Sequence, residues 1–119
     1  DNYISIKTLR LLQDVQQGVA VTVFSDNTGN KLHASDVADF QTEFPEIPIT
    51  VLPIGNIIHD RYIVLDFDTE KERIYHCGAS SKDAGKKMTS ITEYREEAIK
   101  NLFHDIVKQL LKNPKLVLK

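Results

Sequence analysis

The stretch His59-Asp60-Arg61-Tyr62-Ile63-Val64-Leu65-Asp66 decides how this chain is read. Its second half is an apolar run with β-branched residues and no helical spacing, the pattern of a strand. Its first half sets an imidazole, a carboxylate and a guanidinium side by side at the strand's entrance. In extended backbone, residues two apart share a face, so His59 and Arg61 converge on one spot while Asp60 and Tyr62 point away. A neutral imidazole is a nucleophile or base near neutral pH, and a guanidinium offers a fork of donors suited to phosphate oxygens. The pair therefore describes a phosphate site in which His59 attacks phosphorus and Arg61 offsets the developing charge. The plainer reading is an H-x-R without chemistry, in which Arg61 pairs with Asp60, Asp66 or Asp68.

Outward from that stretch, periodicity supplies the other elements. Ile6, Leu9, Leu12 and Val15 recur at helical spacing, and Gly18 is placed to stop that helix. Residues 19–25, VAVTVFS, read as a strand covered on both faces, and DNTGNK after them as a turn. Ser35 is the expected cap of a second helix running through Phe40 to Phe44, ended by Pro45. Residues 47–54 read as a strand that Pro48 and Pro53 keep short or at an edge. Strand 61–67 turns through the polar tip DTEKE and returns as RIYHC. After the loop GASSKDAGKK, MTSITEY holds a short strand, and residues 94–112 a long amphipathic helix with Leu102, Phe103, Ile106 and Leu110 on its apolar face. Asn113-Pro114 ends that helix, and KLVLK is a tail without an assignment. The expected fold is an α/β domain with a mixed β-sheet and helices on both faces, residues 1–119 forming a single domain. The parallel pair joined by the second helix should cross over right-handedly.

Composition narrows the function classes. Of 119 residues, 41% are hydrophobic and 27% charged, ordinary for a soluble domain, and the net charge of −2 means that any phosphate site must be local. The single Cys77 cannot form an internal disulfide, which favours a reducing cytoplasmic location. No apolar run approaches the roughly 20 residues of a membrane span. The opening DNYISIKTLRLL starts in mid-pattern and reads as a C-terminal fragment of a longer protein.

The pattern His59-x-Arg61-x4-Asp66, followed by Gly78-Ala79-Ser80-Ser81, resembles the signature of the phospholipase D superfamily, and the upstream DNYISIKTLRLL and GVAVTVFSDN resemble that family's half-domain. Taken together, DNYI, HDR-IV-D and YH-GAS-KD-GKK are also similar to the C-terminal domain of prophage antirepressor-like, KilA-N-related DNA-binding regulators. The resemblance implies a phospholipase D-like fold and a metal-independent, nuclease-like phosphodiesterase needing no cofactor. It makes His59 the nucleophile, Arg61 the phosphate ligand and Asp66 the residue that orients a catalytic histidine. Ser80 or Ser81 would supply a hydroxyl near the phosphate, with Lys82 beside them on substrate. The superfamily uses two such motifs. Here the remaining histidines, His33, His76 and His104, lie in no H-x-K/R, so the resemblance implies a homodimer in which two His59 sites meet. Nucleic acid or another phosphodiester is the implied partner, reached directly or through a DNA-binding domain before Asp1.

The chain also departs from the family pattern. Arg61 replaces a lysine, the loop lacks the terminal Asn of Gly-Ser-x-Asn, and the hairpin between Asp66 and Gly78 is longer than usual. These departures motivate an alternative, a catalytically degenerate module that dimerises a DNA-binding regulator or senses phosphate. His76 and Cys77 read as the end of a hairpin strand in preference to a metal pair with His59. His104 reads as a boundary residue of the last helix, whose apolar stripe is core or, as the runner-up, a dimer contact. Lys82, Lys86 and Lys87 make their loop locally basic.

Overall fold

The computed structural model describes residues 1–78 and 90–119. Element order is α1 (Ile6–Leu12), β1 (Val21–Phe24), α2 (Ala34–Glu43), β2 (Ile49–Leu52), β3 (Arg61–Leu65), β4 (Arg73–Cys77), β5 (Ile91–Tyr94) and α3 (Glu97–Leu110). The molecule is thus an α/β fold, with every expected element present at close to its expected place. The strands, however, form two sheets instead of one mixed sheet: a parallel β1–β2 pair and an antiparallel β3–β4–β5 meander. The break falls where the chain leaves β2, because the N–H groups of Ile54, Gly55 and Asn56 all bind the Asp26 carboxylate and are lost to any ladder.

Local chemistry explains the boundaries. Ser5 opens α1 as a capping box with Thr8: Lys7 N–H donates to the Ser5 hydroxyl, and Ser5 N–H to the Thr8 hydroxyl. For α2 the cap is His33 and not Ser35. His33 is extended, and its N–H donates at 2.9 Å to the carboxylate of Asp36, which leaves Ser35 inside the first turn. Pro48 and Pro53 frame β2, whose four residues run in register from Val21↔Ile49 to Phe24↔Leu52. Tyr94 closes β5 instead of opening α3, which starts after Glu96.

The main core gathers Leu9 of α1, Phe40 of α2 and Val51 of β2 with Ile4, Leu32 and Ile47. Full burial of each such side chain contributes about 1.5–3 kcal/mol. The tail is part of this core: Leu116 and Leu118 pack against it, and Leu116 N–H donates to Val51 O along the free edge of β2.

The antiparallel sheet pairs Tyr62 with His76 and Ile74 with Tyr94, placing these four on one face. There α3 covers them: Phe103 sits 4.4 Å from Tyr62 and 5.7 Å from Tyr94 between ring centroids, and Ile74 is fully buried. The expectation of helices on both faces fails for this sheet. On its other face Ile63, Leu65 and Ile91 remain exposed, with no described helix over them. Asn113 donates to Pro53 O at 3.0 Å and ties the end of α3 to the exit of β2.

Candidate functional site

Both strands of the parallel pair deliver their carboxyl ends to one region, the usual position for a ligand crevice in an α/β fold. β1 runs out through Ser25, Asp26, Asn27 and Thr28. Ser25 is completely buried, and its hydroxyl accepts from Asn27 N–H. Asn27 lies in the left-handed region, and its buried amide both donates to Leu32 O and accepts from Leu32 N–H. A side chain that mimics a backbone partner in this way fixes the turn. Asp26 N–H donates to the Asn2 side chain, and Thr28 N–H to Asn2 O, which lays the N-terminal segment over the same turn.

Asp26 is the fastener. One of its oxygens accepts from Ile54 and Gly55 at 2.8 and 2.9 Å, the other from Asn56 at 3.1 Å. Burial opposes its ionisation, but the N–H groups of Gly55, Ile54 and Asn56 outweigh that and hold its carboxyl below the ordinary value. The turn it grips, with Gly55 and Asn56 both at positive φ, launches the segment that carries His59.

His59 and Arg61 open into one cavity of about 370 Å³. Asn2, Tyr3 and Thr28 line one side of it, and Asn56 and Ile58 the other. His59 is exposed, and its ring has no hydrogen-bond or ion-pair partner among the described residues. Arg61, half buried at the start of β3, meets none of the three acids considered for it. Its Nε lies 3.8 Å from the Asp1 carboxylate, too long for a hydrogen bond.

Asp66 is not brought to this site. It stands beyond the other end of β3, roughly 16 Å of strand from Arg61. There, at positive φ, it is a turn residue whose carbonyl accepts from the Thr69 N–H and hydroxyl. Ser80, Ser81 and Lys82 lie outside the described residues. The residues flanking that segment, Gly78 and Ser90, bond to each other at the Arg61 end of the sheet, since Cys77 pairs with Arg61.

The other histidines are structural. His76 meets Asp60 at 3.3 Å and stacks on Tyr94, on the face turned away from Arg61. Burial there, followed by Tyr94, pushes the Tyr62 hydroxyl up to about 12. Burial also pushes the Cys77 thiol up, leaving it a poor nucleophile. His104 is more than a boundary residue: its Nδ1 lies 2.9 Å from Glu72 and its ring stacks on Phe67, joining α3 to the hairpin tip. Among the described residues no group of three His, Cys, Asp or Glu is arranged to hold a metal ion, and no helix is long and apolar enough to cross a membrane.

Sequence reasoning passed over Asn2, Thr28 and Asn56, which line the cavity, and Asp26, which builds it. The available signal was positional: SDNTGN and GN are polar turn clusters that directly follow the two parallel strands. Compared with models of protein families, with curated proteins and with solved structures, the chain matches none.

Proposed function

We propose that this domain is a phosphodiester site of the phospholipase D type, with His59 as nucleophile and Arg61 as phosphate ligand. The observation that carries the reading is the shared cavity: an exposed, unencumbered imidazole and a guanidinium open into one space at the carboxyl ends of β1 and β2. Thr28, Asn2 and Asn56 add neutral polar groups around the same space, a lining suited to phosphate and sugar oxygens. In the reaction, a ring nitrogen of His59 bonds to phosphorus as the bond to the leaving oxygen breaks. That oxygen takes its proton from a second imidazole. Water then attacks the phosphohistidine, giving its proton back to the second imidazole, and the phosphorus–nitrogen bond breaks to release His59. The chain has one H-x-R, so the second imidazole is assigned to the partner subunit's His59 in a homodimer. The resemblance to antirepressor-like regulators supports a cytoplasmic DNA-binding protein as the setting and nucleic acid as the substrate class.

A second reading, phosphate sensing or dimerisation without turnover, is favoured by one specific observation. No described carboxylate orients His59, and Asp66, the residue implied for that role, lies at the far end of the strand. One experiment separates the two. Hydrolysis of bis(p-nitrophenyl) phosphate is followed in EDTA for the wild type and for His59→Ala, with inorganic phosphate titrated by NMR alongside. Turnover that falls to background in His59→Ala supports the enzyme. Phosphate binding at the cavity without turnover leaves the sensing module, and the absence of both turnover and binding would sink both readings.

A further inference from the structure

The face of the antiparallel sheet opposite α3 has a composition that core packing does not require. Along β3 it carries Arg61, Ile63 and Leu65; pairing sets Cys77, Tyr75 and Arg73 beside them on β4, then Ile91 and Glu93 on β5. Arg95 continues the same side, because its guanidinium reaches Glu93 at 3.4 Å. Three arginines therefore share this face with Glu93, while the carboxylates of Asp1, 3.8 Å from Arg61, and of Asp66, whose charge reaches Arg73, adjoin its two ends. The Tyr75 hydroxyl, then the Glu93 carboxylate, favour the charged form of the Arg73 guanidinium, and Arg73 is exposed. The Arg95 side chain is 84% exposed, and Ile63 and Ile91 are 44% and 61% exposed. From the Arg61 row to the Arg73 row the face runs roughly 13 Å along the strands and about 10 Å across them.

We propose that this open face is a docking track for single-stranded nucleic acid that leads into the His59–Arg61 cavity. The inference rests on the phosphodiester reading for one end of the track, Arg61, which belongs to both. Guanidinium groups at the two ends of the face suit backbone phosphates about two nucleotides apart, while Tyr75 and the apolar side chains between them offer a flat surface to unstacked bases. A duplex hides its base faces and cannot use that surface. A second copy of the chain is disfavoured by charge, since a two-fold axis over this face would set the arginines of one protomer against those of the other.

The test measures binding of a labelled oligothymidylate of about twelve nucleotides by fluorescence anisotropy across a salt series. All proteins carry His59→Ala, so that affinity is read separately from turnover. Arg73→Gln with Arg95→Gln is expected to raise Kd at least about ten-fold and to flatten the log Kd–log salt slope by about 1.4. Lys108→Gln with Lys112→Gln, the same charge change in the last turn of α3 and just beyond it, is expected to stay within about two-fold of the parent. Amide shifts induced in the parent protein by the oligonucleotide should map to Ile63, Tyr75 and Ile91, a readout that no variant's folding can obscure. Binding on this face in a protein that proves unable to hydrolyse a diester retains the track and removes the enzyme. The proposal is overturned by no binding, by equal losses in both double variants, or by shifts confined elsewhere. It is equally overturned if phosphatidylglycerol vesicles compete at matched phosphate, or if the arginine variant dissociates a dimer without changing affinity.

Discussion

Replacing Asp26 tests the construction of the site without touching its chemistry. The carboxylate accepts three backbone N–H groups, and hydrogen bonds to a charged acceptor are worth about 1.5–3 kcal/mol each when shielded from water. They are not equally shielded. Ile54 is 2% exposed, so its N–H has no substitute partner in the alanine variant, whereas Gly55 and Asn56 are exposed and can turn to solvent. The Ile54 bond therefore dominates, and Asp26→Ala should cost about 2–4 kcal/mol, against a total stability on the order of 10 kcal/mol. Asp26→Asn keeps one acceptor oxygen and should cost about half as much. Urea unfolding at neutral pH measures both. The pH dependence follows from the direction of the shift. Because the folded-state value of Asp26 is depressed, its contribution is complete above the unfolded-state value of about 3.9 and is lost as pH falls through the folded value. The gap between wild type and Asp26→Asn should accordingly be constant from neutral pH to about pH 5 and close below about pH 4. Loosening the 54–56 turn should also weaken phosphate binding at a cavity that Asp26 does not itself line. An Asp26→Ala protein within about 0.5 kcal/mol of wild type, or a gap that persists undiminished in acid, would refute the reasoning.

Three further outcomes are expected. Ile74→Ala empties a fully buried position between α3 and the sheet and should cost about 2–5 kcal/mol in the same urea assay, with an unchanged slope. Glu72 is burdened by burial, but the Asp68 N–H and His104 hold its carboxyl below the ordinary value. Glu72→Gln should therefore cost about 1–2 kcal/mol at neutral pH, and the difference should vanish as pH falls below about 4; a difference independent of pH would contradict that. Removing residues 115–119 deletes the Leu116–Val51 hydrogen bond and uncovers one side of the core, and should lower stability by about 1–3 kcal/mol. Thermal melts of the shortened chain check this, and an unchanged midpoint argues against a docked tail.

The elements were legible because their signals are local. Period-two and helical spacing, Pro48 and Pro53 around β2, and the polar tip between β3 and β4 each act over a few residues. The cap of α2 departs from expectation for the same reason: Ser35 is the stronger capping residue, yet Asp36 reaches back to His33 and moves the start two residues earlier. What the sequence did not disclose is non-local. Nothing in SDN announces that Asp26 binds residues 54–56, so one mixed sheet was a natural expectation and the actual break was not. KLVLK had no periodicity to read, and its place on the edge of β2 depends on a partner strand more than sixty residues away.

The candidate site divides along the same line. His59 and Arg61 line one cavity, although the chain bends at Asp60 between them instead of running extended. Asp66 was linked to them by a motif, and the strand between carries it out of reach. This separation has a mechanistic consequence. An imidazole that attacks phosphorus needs its ring held in one orientation, or it loses the advantage of a positioned nucleophile. Among the described residues nothing holds His59, while Arg61, Thr28 and Asn56 are fixed by strand and turn. Catalysis therefore requires a restraint from outside the described residues, and phosphate binding by Arg61 requires none. If the domain is an enzyme, its turnover should depend on protein concentration through dimerisation, whereas phosphate affinity should not. A dilution series of both quantities on the same sample, showing the two falling together, would be incompatible with a site whose binding half is complete in one chain.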